Sequence, residues 1–227
     1  MNTKTNRRAP QATARKAQIT AGSAVLDAEW HQPAEATGLA IFAHGSGSSR
    51  YSSRNQAVAR ALQESVTGTL LFDLLTREEE AVDARTGHLR FDIGLLAQRL
   101  GEVTRWVTLQ PEGARLGIGY FGSSTGAAAA LVAAAELGPA VDAVVSRGGR
   151  PDLADDALAQ VQAPTLLIVG ECDEVVLRLN EEALEKLTCQ KELAMVPRAT
   201  HLFEEPGALE EVASLSAAWF QQYLKPR

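Results

Sequence analysis

The chain has 227 residues, 45% of them apolar, with 18 glycines against only 3 Trp, 3 Tyr and 6 Phe. That composition can fill a core of closely packed backbone, and it excludes disorder as the main state. The net charge of −6 argues against a nucleic-acid or anionic-membrane surface. The charge is uneven. Met1 to Lys16 holds Lys4, Arg7, Arg8, Arg15 and Lys16 and no acid, and reads as a disordered basic arm outside one domain over residues 17–227. The arm has no apolar stretch, so it does not read as a signal peptide. The longest uncharged apolar run, Gly126 to Ala135, is about half of what a membrane span needs. A soluble, cytoplasmic protein is expected, with neither nucleic acid nor membrane as partner.

In chain order, Gln18–Ile19 and Ala24–Trp30 predict an opening hairpin around Ala21-Gly22-Ser23, and Gly38–Ala43 a short buried strand. Asn55–Glu64 has helical spacing, with Ala57, Val58, Ala61 and Leu62 on one face. Thr69–Leu75 is the next strand, and the polar stretch Thr76–Arg90 reads as a loop. A helix follows from Asp92, a plausible N-cap, to about Leu109. Then come strand Arg115–Phe121, helix Thr125–Leu137, strand Val141–Val145 and a short helix near Pro151–Gln160. Strand Thr165–Val169, helix Asn180–Leu187, strand Glu192–Val196 and helix Pro206–Tyr223 complete the chain.

Strands alternating with helices mean βαβ units and a mainly parallel sheet, whose ligands sit at the carboxyl ends of the strands. Cys172 and Cys189 fall at opposite edges of such a sheet, roughly 20 Å apart for a six-residue strand. Both are expected as free thiols.

Directly after strand Arg115–Phe121 stands Gly122-Ser123-Ser124-Thr125-Gly126, followed by an alanine-rich helix. This is G-x-S-x-G in its required setting of strand, sharp turn and helix. The central serine must adopt a strained backbone that lifts its hydroxyl off the sheet. The flanking residues then crowd together, which suits glycine at 122 and 126. Ser123 also carries a hydroxyl, but only the central position is thrust outward. Ser124 is the candidate nucleophile.

A serine hydroxyl needs a hydrogen-bonded base, itself oriented by a carboxylate. In this fold the chain order is Ser, acid, His. His201 is the only histidine after Ser124; His31, His44 and His88 come too early for a triad role. The acid should end a strand between the two. Asp173 lies just past strand Thr165–Val169, with Glu171 and Glu174 as rivals in the same turn and a helix cap as the plainer role. The early strand Gly38–Ala43 runs into His44-Gly45-Ser46-Gly47-Ser48-Ser49-Arg50, a small-residue loop. Its Ser46 N–H, with that of Thr125, is expected to form the oxyanion hole.

The stretches FAHGSGSSR, LLTREEE, GYFGSSTGAAAAL, VVSRGGRPDLA, PTLLIVGECDEVV and ATHLFEEPGAL together resemble the dienelactone hydrolase-like branch of the α/β-hydrolase superfamily, from about Thr37 to the C-terminus. The resemblance implies an eight-stranded α/β-hydrolase core without a cap domain, and Ser124, Asp173 and His201 as its triad. Dienelactone hydrolase itself has cysteine at the elbow, so its name-giving substrate is not implied here. Relatives often place glycine where this chain has Arg198.

With no cap-sized insertion, the site should be open and suit small or short-acyl esters. Arg147 and Arg150 fall on the same edge and could bind a substrate carboxylate, or pair with Asp152, Asp155 or Asp156; Arg50 and Arg54 carry the same ambiguity. Gly117 to Gly122 spells the dinucleotide fingerprint G-x-G-x-x-G, but no strand fits before it and no helix opens within it. Neither H-E-x-x-H nor paired cysteines occur, so no metal or cofactor is expected. The residues predict a serine carboxylesterase. An acyltransferase or thioesterase would use the same triad, and a non-catalytic binding module would predict a broken one.

Overall fold

A computed structural model describes residues 13–227. Its strands are β1 (Thr13–Ala21), β2 (Ala24–Gln32), β3 (Gly38–Ala43), β4 (Gly68–Phe72), β5 (Gly117–Ser123), β6 (Ala143–Arg147), β7 (Thr165–Gly170) and β8 (Lys191–Val196). They form one eight-stranded sheet in the order β1-β2-β4-β3-β5-β6-β7-β8. The β1–β2 and β2–β4 pairs are antiparallel and all others parallel. This is the α/β-hydrolase architecture.

Burial follows position in the sheet. The inner strands β3, β4, β5, β6 and β7 are buried at every residue, so they read as continuous apolar runs. The outlying β2 alternates, with Ala24, Leu26, Ala28 and Trp30 inward. The hairpin is longer than its apolar residues suggest. β1 starts at Thr13, four residues inside the expected basic arm, and Arg15 stacks over the Trp30 ring at 4.6 Å. The rest of that arm lies outside the described residues.

The described residues form six α-helices: α1 (Ser53–Glu64), α2 (Arg77–Thr86), α3 (Ile93–Thr108), α4 (Thr125–Leu137), α5 (Glu174–Lys186) and α6 (Ala208–Tyr223). Val58 and Leu62 of α1 pack with Val212 and Phe220 of α6 on one face. On the other, Leu100 and Val103 of α3, the alanines of α4 and Ala183 of α5 form the second core layer. Helix α5 starts six residues before the expected Asn180. The short helix expected at Pro151–Gln160 is present as a 3-10 helix, kinked at Asp155 where φ is +44°.

The largest departure is α2, which lies in the stretch expected to be a loop. Its composition hides it, because Arg77 to Thr86 offers almost no apolar stripe. Local capping holds it instead. The Thr76 hydroxyl accepts from Glu79 N–H, the Glu79 carboxylate accepts from Thr76 N–H at 2.8 Å, and Gly87 closes the helix at φ +69°. Arg99 of α3 then clamps Glu79, holding its carboxyl below the usual range against the opposing pull of burial.

The sheet reverses direction of growth at β3, which lies between β4 and β5. At such a switch point the loops beyond the carboxyl ends diverge and leave a crevice. Helix α4 meets it at van der Waals distance because Ala127 to Ala130 are fully buried and small. A Cβ on Gly126 would collide with the Ala43 carbonyl of β3. Gly126→Ala is therefore expected to destabilise by about 1–3 kcal/mol. Gly94→Ala, where the new methyl meets only Asp92 Oδ1 at 3.5 Å in a helix, should be neutral or stabilising. Urea midpoints at constant m-value test the pair.

Candidate active site

Ser124 joins β5 to α4 with φ +51° and ψ −122°, a backbone that a side chain adopts only when its surroundings force it. Three constraints do so. Its N–H donates to Arg147 O at 3.3 Å, and its carbonyl accepts from Ala127 N at 3.1 Å and from Arg150 N at 3.1 Å. Ser123, by contrast, is buried, and its hydroxyl donates to Asn55 Oδ1 at 3.0 Å. Of the two, only Ser124 is partly exposed.

Asp173 follows β7 and occupies the N-cap position of α5, yet its side chain caps nothing. Oδ2 lies 2.6 Å from Nδ1 of His201, in the loop after β8. Glu171 is engaged elsewhere, accepting from Arg198 N–H at 2.8 Å, and Glu174 is exposed in the first turn of α5. Arg198 itself has φ +60°, a conformation that favours glycine. Its bond to Glu171 holds the turn that delivers His201.

The imidazole is brought over the β5–β6 edge through Gly148. A Cβ there would stand 3.5 Å from His201 Cε1 and 3.3 Å from its carbonyl oxygen. The Ser124 hydroxyl and His201 are not hydrogen-bonded to each other in this arrangement. Bonds of that kind are commonly long until a substrate is in place.

The loop after β3 supplies the opposite wall. Thr125 N–H is the first amide of α4, where no intrahelical acceptor exists. Ser46 Oγ and Thr125 Oγ1 lie 3.0 Å apart, tying the loop to that helix end. Both predicted oxyanion residues therefore border the same space. An open cleft of about 470 Å³ lies against them, floored by Leu74 and Leu96 and walled by Glu80 and Arg90 around α2. The polar stretch is thus a wall of the site, though too short for a cap.

Two clamps that sequence reasoning missed fix this loop. At its start His44 is buried, with Nδ1–H donating to Gly45 O and Nε2 accepting from Leu74 N–H, both at 3.0 Å. At its end the buried Arg50 binds Asp73 through backbone and side chain, and also reaches Tyr51 Oη. Both clamps hold the loop to the segment after β4. Chain order excluded His44 from the triad and gave no sign of this second role.

The two arginines after β6 differ. Arg150 forms a bidentate pair with Asp152 at 2.8 and 2.7 Å. Arg147 is buried and pairs with none of the three candidate aspartates. Both cysteines are free. No helix among the described residues is long and apolar enough to cross a membrane, and no three His, Cys, Asp or Glu residues among them cluster as a metal requires.

Burial pushes the His44 imidazole below its ordinary pKa, outweighing the opposing effects of Gly45 O and Asp73. Between the lowered folded value and about 6.5, the unfolded chain binds the extra proton, so stability is complete above about pH 6.5 and is lost as pH falls. Replacing His44 with Gln should flatten that part of the stability–pH curve. Denaturant melts of both proteins between pH 7.5 and 5 check this.

The family model for dienelactone hydrolases matches residues 55–224. A crystal structure of dienelactone hydrolase from Anabaena variabilis superposes with a TM-score of 0.93 at 57% identity, covering 95% of this chain and 100% of that one. An esterase from Pyrococcus furiosus shares the fold, at TM-score 0.73 and 16% identity over 93% and 92% of the two chains. Two Mycobacterium tuberculosis proteins, each named "Putative phosphoribosyl transferase", are 55% identical over 207 residues, which is 91% of this chain and 46% of each relative. The chain thus spans just under half the length of those relatives. With three quarters of its length inside the family model and a full-length structural relative at high identity, this chain belongs to the dienelactone hydrolase family.

Proposed function

We propose that this chain is a serine carboxylesterase that cleaves small or short-acyl esters through an acyl-enzyme on Ser124. The observation that carries the reading is the 2.6 Å bond from Asp173 to His201 Nδ1, on the edge where Ser124 is held at φ +51°. That bond leaves Nε2 as the free, basic nitrogen of the imidazole.

His201 Nε2 takes the proton as Ser124 Oγ attacks the ester carbonyl, and Asp173 steadies the imidazolium. The Ser46 and Thr125 amides receive the oxyanion. His201 returns its proton to the departing alkoxide, which leaves as the alcohol. Water then attacks the acyl-enzyme, giving its proton to His201, and the acid departs as Ser124 recovers its own. Each step uses only side chains and backbone amides of this chain, and the partner is a small-molecule ester.

The shallow cleft beside the oxyanion donors supports short acyl groups. A strained serine with an Asp–His pair on the same edge suits acyl transfer to water, rather than the reaction in the name of the mycobacterial relatives.

Hydrolysis of p-nitrophenyl acetate, butyrate and octanoate tests this directly. Ser124→Ala should lower kcat by about 10⁴-fold or more while keeping the fold, and Asp173→Asn by a comparable factor. Acetate or butyrate should be preferred. Equal rates in wild type and Ser124→Ala would overturn the nucleophile, and rates climbing steadily to octanoate would overturn the short-acyl reading.

A further inference from the structure

The segment Ser146-Arg147-Gly148-Gly149-Arg150 carries one guanidinium that the mechanism does not use. Arg147 ends β6 and is 7% exposed, and both Nε and Nη1 are buried without a protein acceptor. A buried charge in that condition is expensive, because no opposite charge offsets its lost hydration. Its nearest compensation is the Phe203 ring, with centroid 5.7 Å from Cζ. The neighbouring charge makes matters worse. Arg54 of α1 adds a second positive field, and its own Nε is buried without an acceptor. Burial first, and Arg54 second, bring the Arg147 pKa down to about 10. The carboxylate facing the pair from the His201 loop is Glu204, which meets Arg54 Nη1 at 3.2 Å with most of its side chain in solvent.

The position is as informative as the charge. Arg147 O accepts the N–H of Ser124, and the next residue, Gly148, lies against His201. Arg147 is therefore bonded to the elbow through its backbone, while its guanidinium lies by Phe203 of the His201 loop and within the field of Arg54 of α1. The cleft against Ser46 and Thr125 lies on the α2 side.

We propose that Arg147 and Arg54 form a subsite for a phosphate monoester group, borne by the substrate whose ester carbonyl meets Ser124. The inference rests on the esterase reading for its substrate and on the two arginines for its site. A carboxylate presents two oxygens in one plane and is satisfied by one guanidinium fork. Two guanidinia from different elements suit three oxygens and a charge near −2. Glu204 holds Arg54 until that group arrives and then yields to it.

The test uses the full chain and inorganic phosphate as probe, with calorimetry on wild type and Ser124→Ala. Phosphate is expected to bind both, and Arg147→Met to weaken binding by about 10–100-fold. Arg54→Gln, at a position whose side chain is 33% exposed, should weaken it in the same direction, and Glu204→Gln should tighten it. In turnover, 3-acetoxypropyl phosphate should exceed 3-acetoxypropan-1-ol in kcat/KM by about tenfold or more, a ratio that Arg147→Met and Arg54→Gln both reduce. No phosphate binding, or binding indifferent to both arginine variants, would overturn the subsite. Equal preference for 4-acetoxybutanoate would make it a carboxylate site instead. Phosphate binding without any ester preference would restrict it to free phosphate and remove the substrate claim. Loss of all ester turnover with Arg147-dependent phosphate binding intact would sink the esterase reading and leave the anion site standing.

Discussion

Everything at the candidate site depends on one steric constraint: β3, β5 and the start of α4 approach too closely for a Cβ at Gly122 or Gly126. A Cβ on Gly122 would strike Ala127, and one on Gly126 would strike the end of β3. Only with both absent does the chain turn sharply enough to hold Ser124 at φ +51°. The same closeness points the first amide of α4 into the crevice and lets Ser46 bond Thr125. Hydroxyl presentation and the proposed oxyanion donors thus come from one packing contact. The alanines of α4 serve it too, since larger side chains would lift the helix from the sheet.

Around that rigid turn the other groups arrive on loops, and each loop is tied down. His44 and Arg50 clamp the loop after β3 to the segment after β4. Glu171 holds Arg198, and so the turn before His201. Asn180 of α5 is fully buried and donates to Gly149 O at 3.0 Å, fixing the loop after β6 beneath the site. Loops carry function only when a scaffold positions them. Here the ties are polar: those of His44, Arg50 and Asn180 are buried, while the bond between Glu171 and Arg198 is exposed.

The site was legible because two of its demands act on residue type within a short span. An elbow needs glycine, serine and glycine at fixed spacing after a strand, and Gly122, Ser124 and Gly126 carry that pattern openly. Asp173 and His201 were legible more weakly, through chain order and the places where strands end. The fold was legible wherever burial sets a period, as in the apolar runs of β3 and β7. Helix α2 was not, because capping and the Glu79–Arg99 pair hold it rather than an apolar face. The clue was Thr76-x-x-Glu79, a local pattern that carries no hydrophobic signal. The start of α5 at Glu174 was obscured in the same way, since the helix begins within the acidic turn that supplies Asp173.

By itself, the sequence determined the alternation of strands and helices, the G-x-S-x-G turn, and the chain order of the candidate nucleophile, acid and base. These are properties of local spacing, and spacing survives in one dimension. Only the tertiary structure decided which acid meets His201, and it did so by engaging Glu171 with Arg198 and leaving Asp173 free. It also separated two arginines three residues apart: Arg150 reaches Asp152 in its own loop, while the guanidinium of Arg147 lies by Phe203 of the His201 loop with Nε and Nη1 lacking an acceptor. Pairing of charges depends on distances between elements far apart in the chain, and those distances exist only once the sheet has formed.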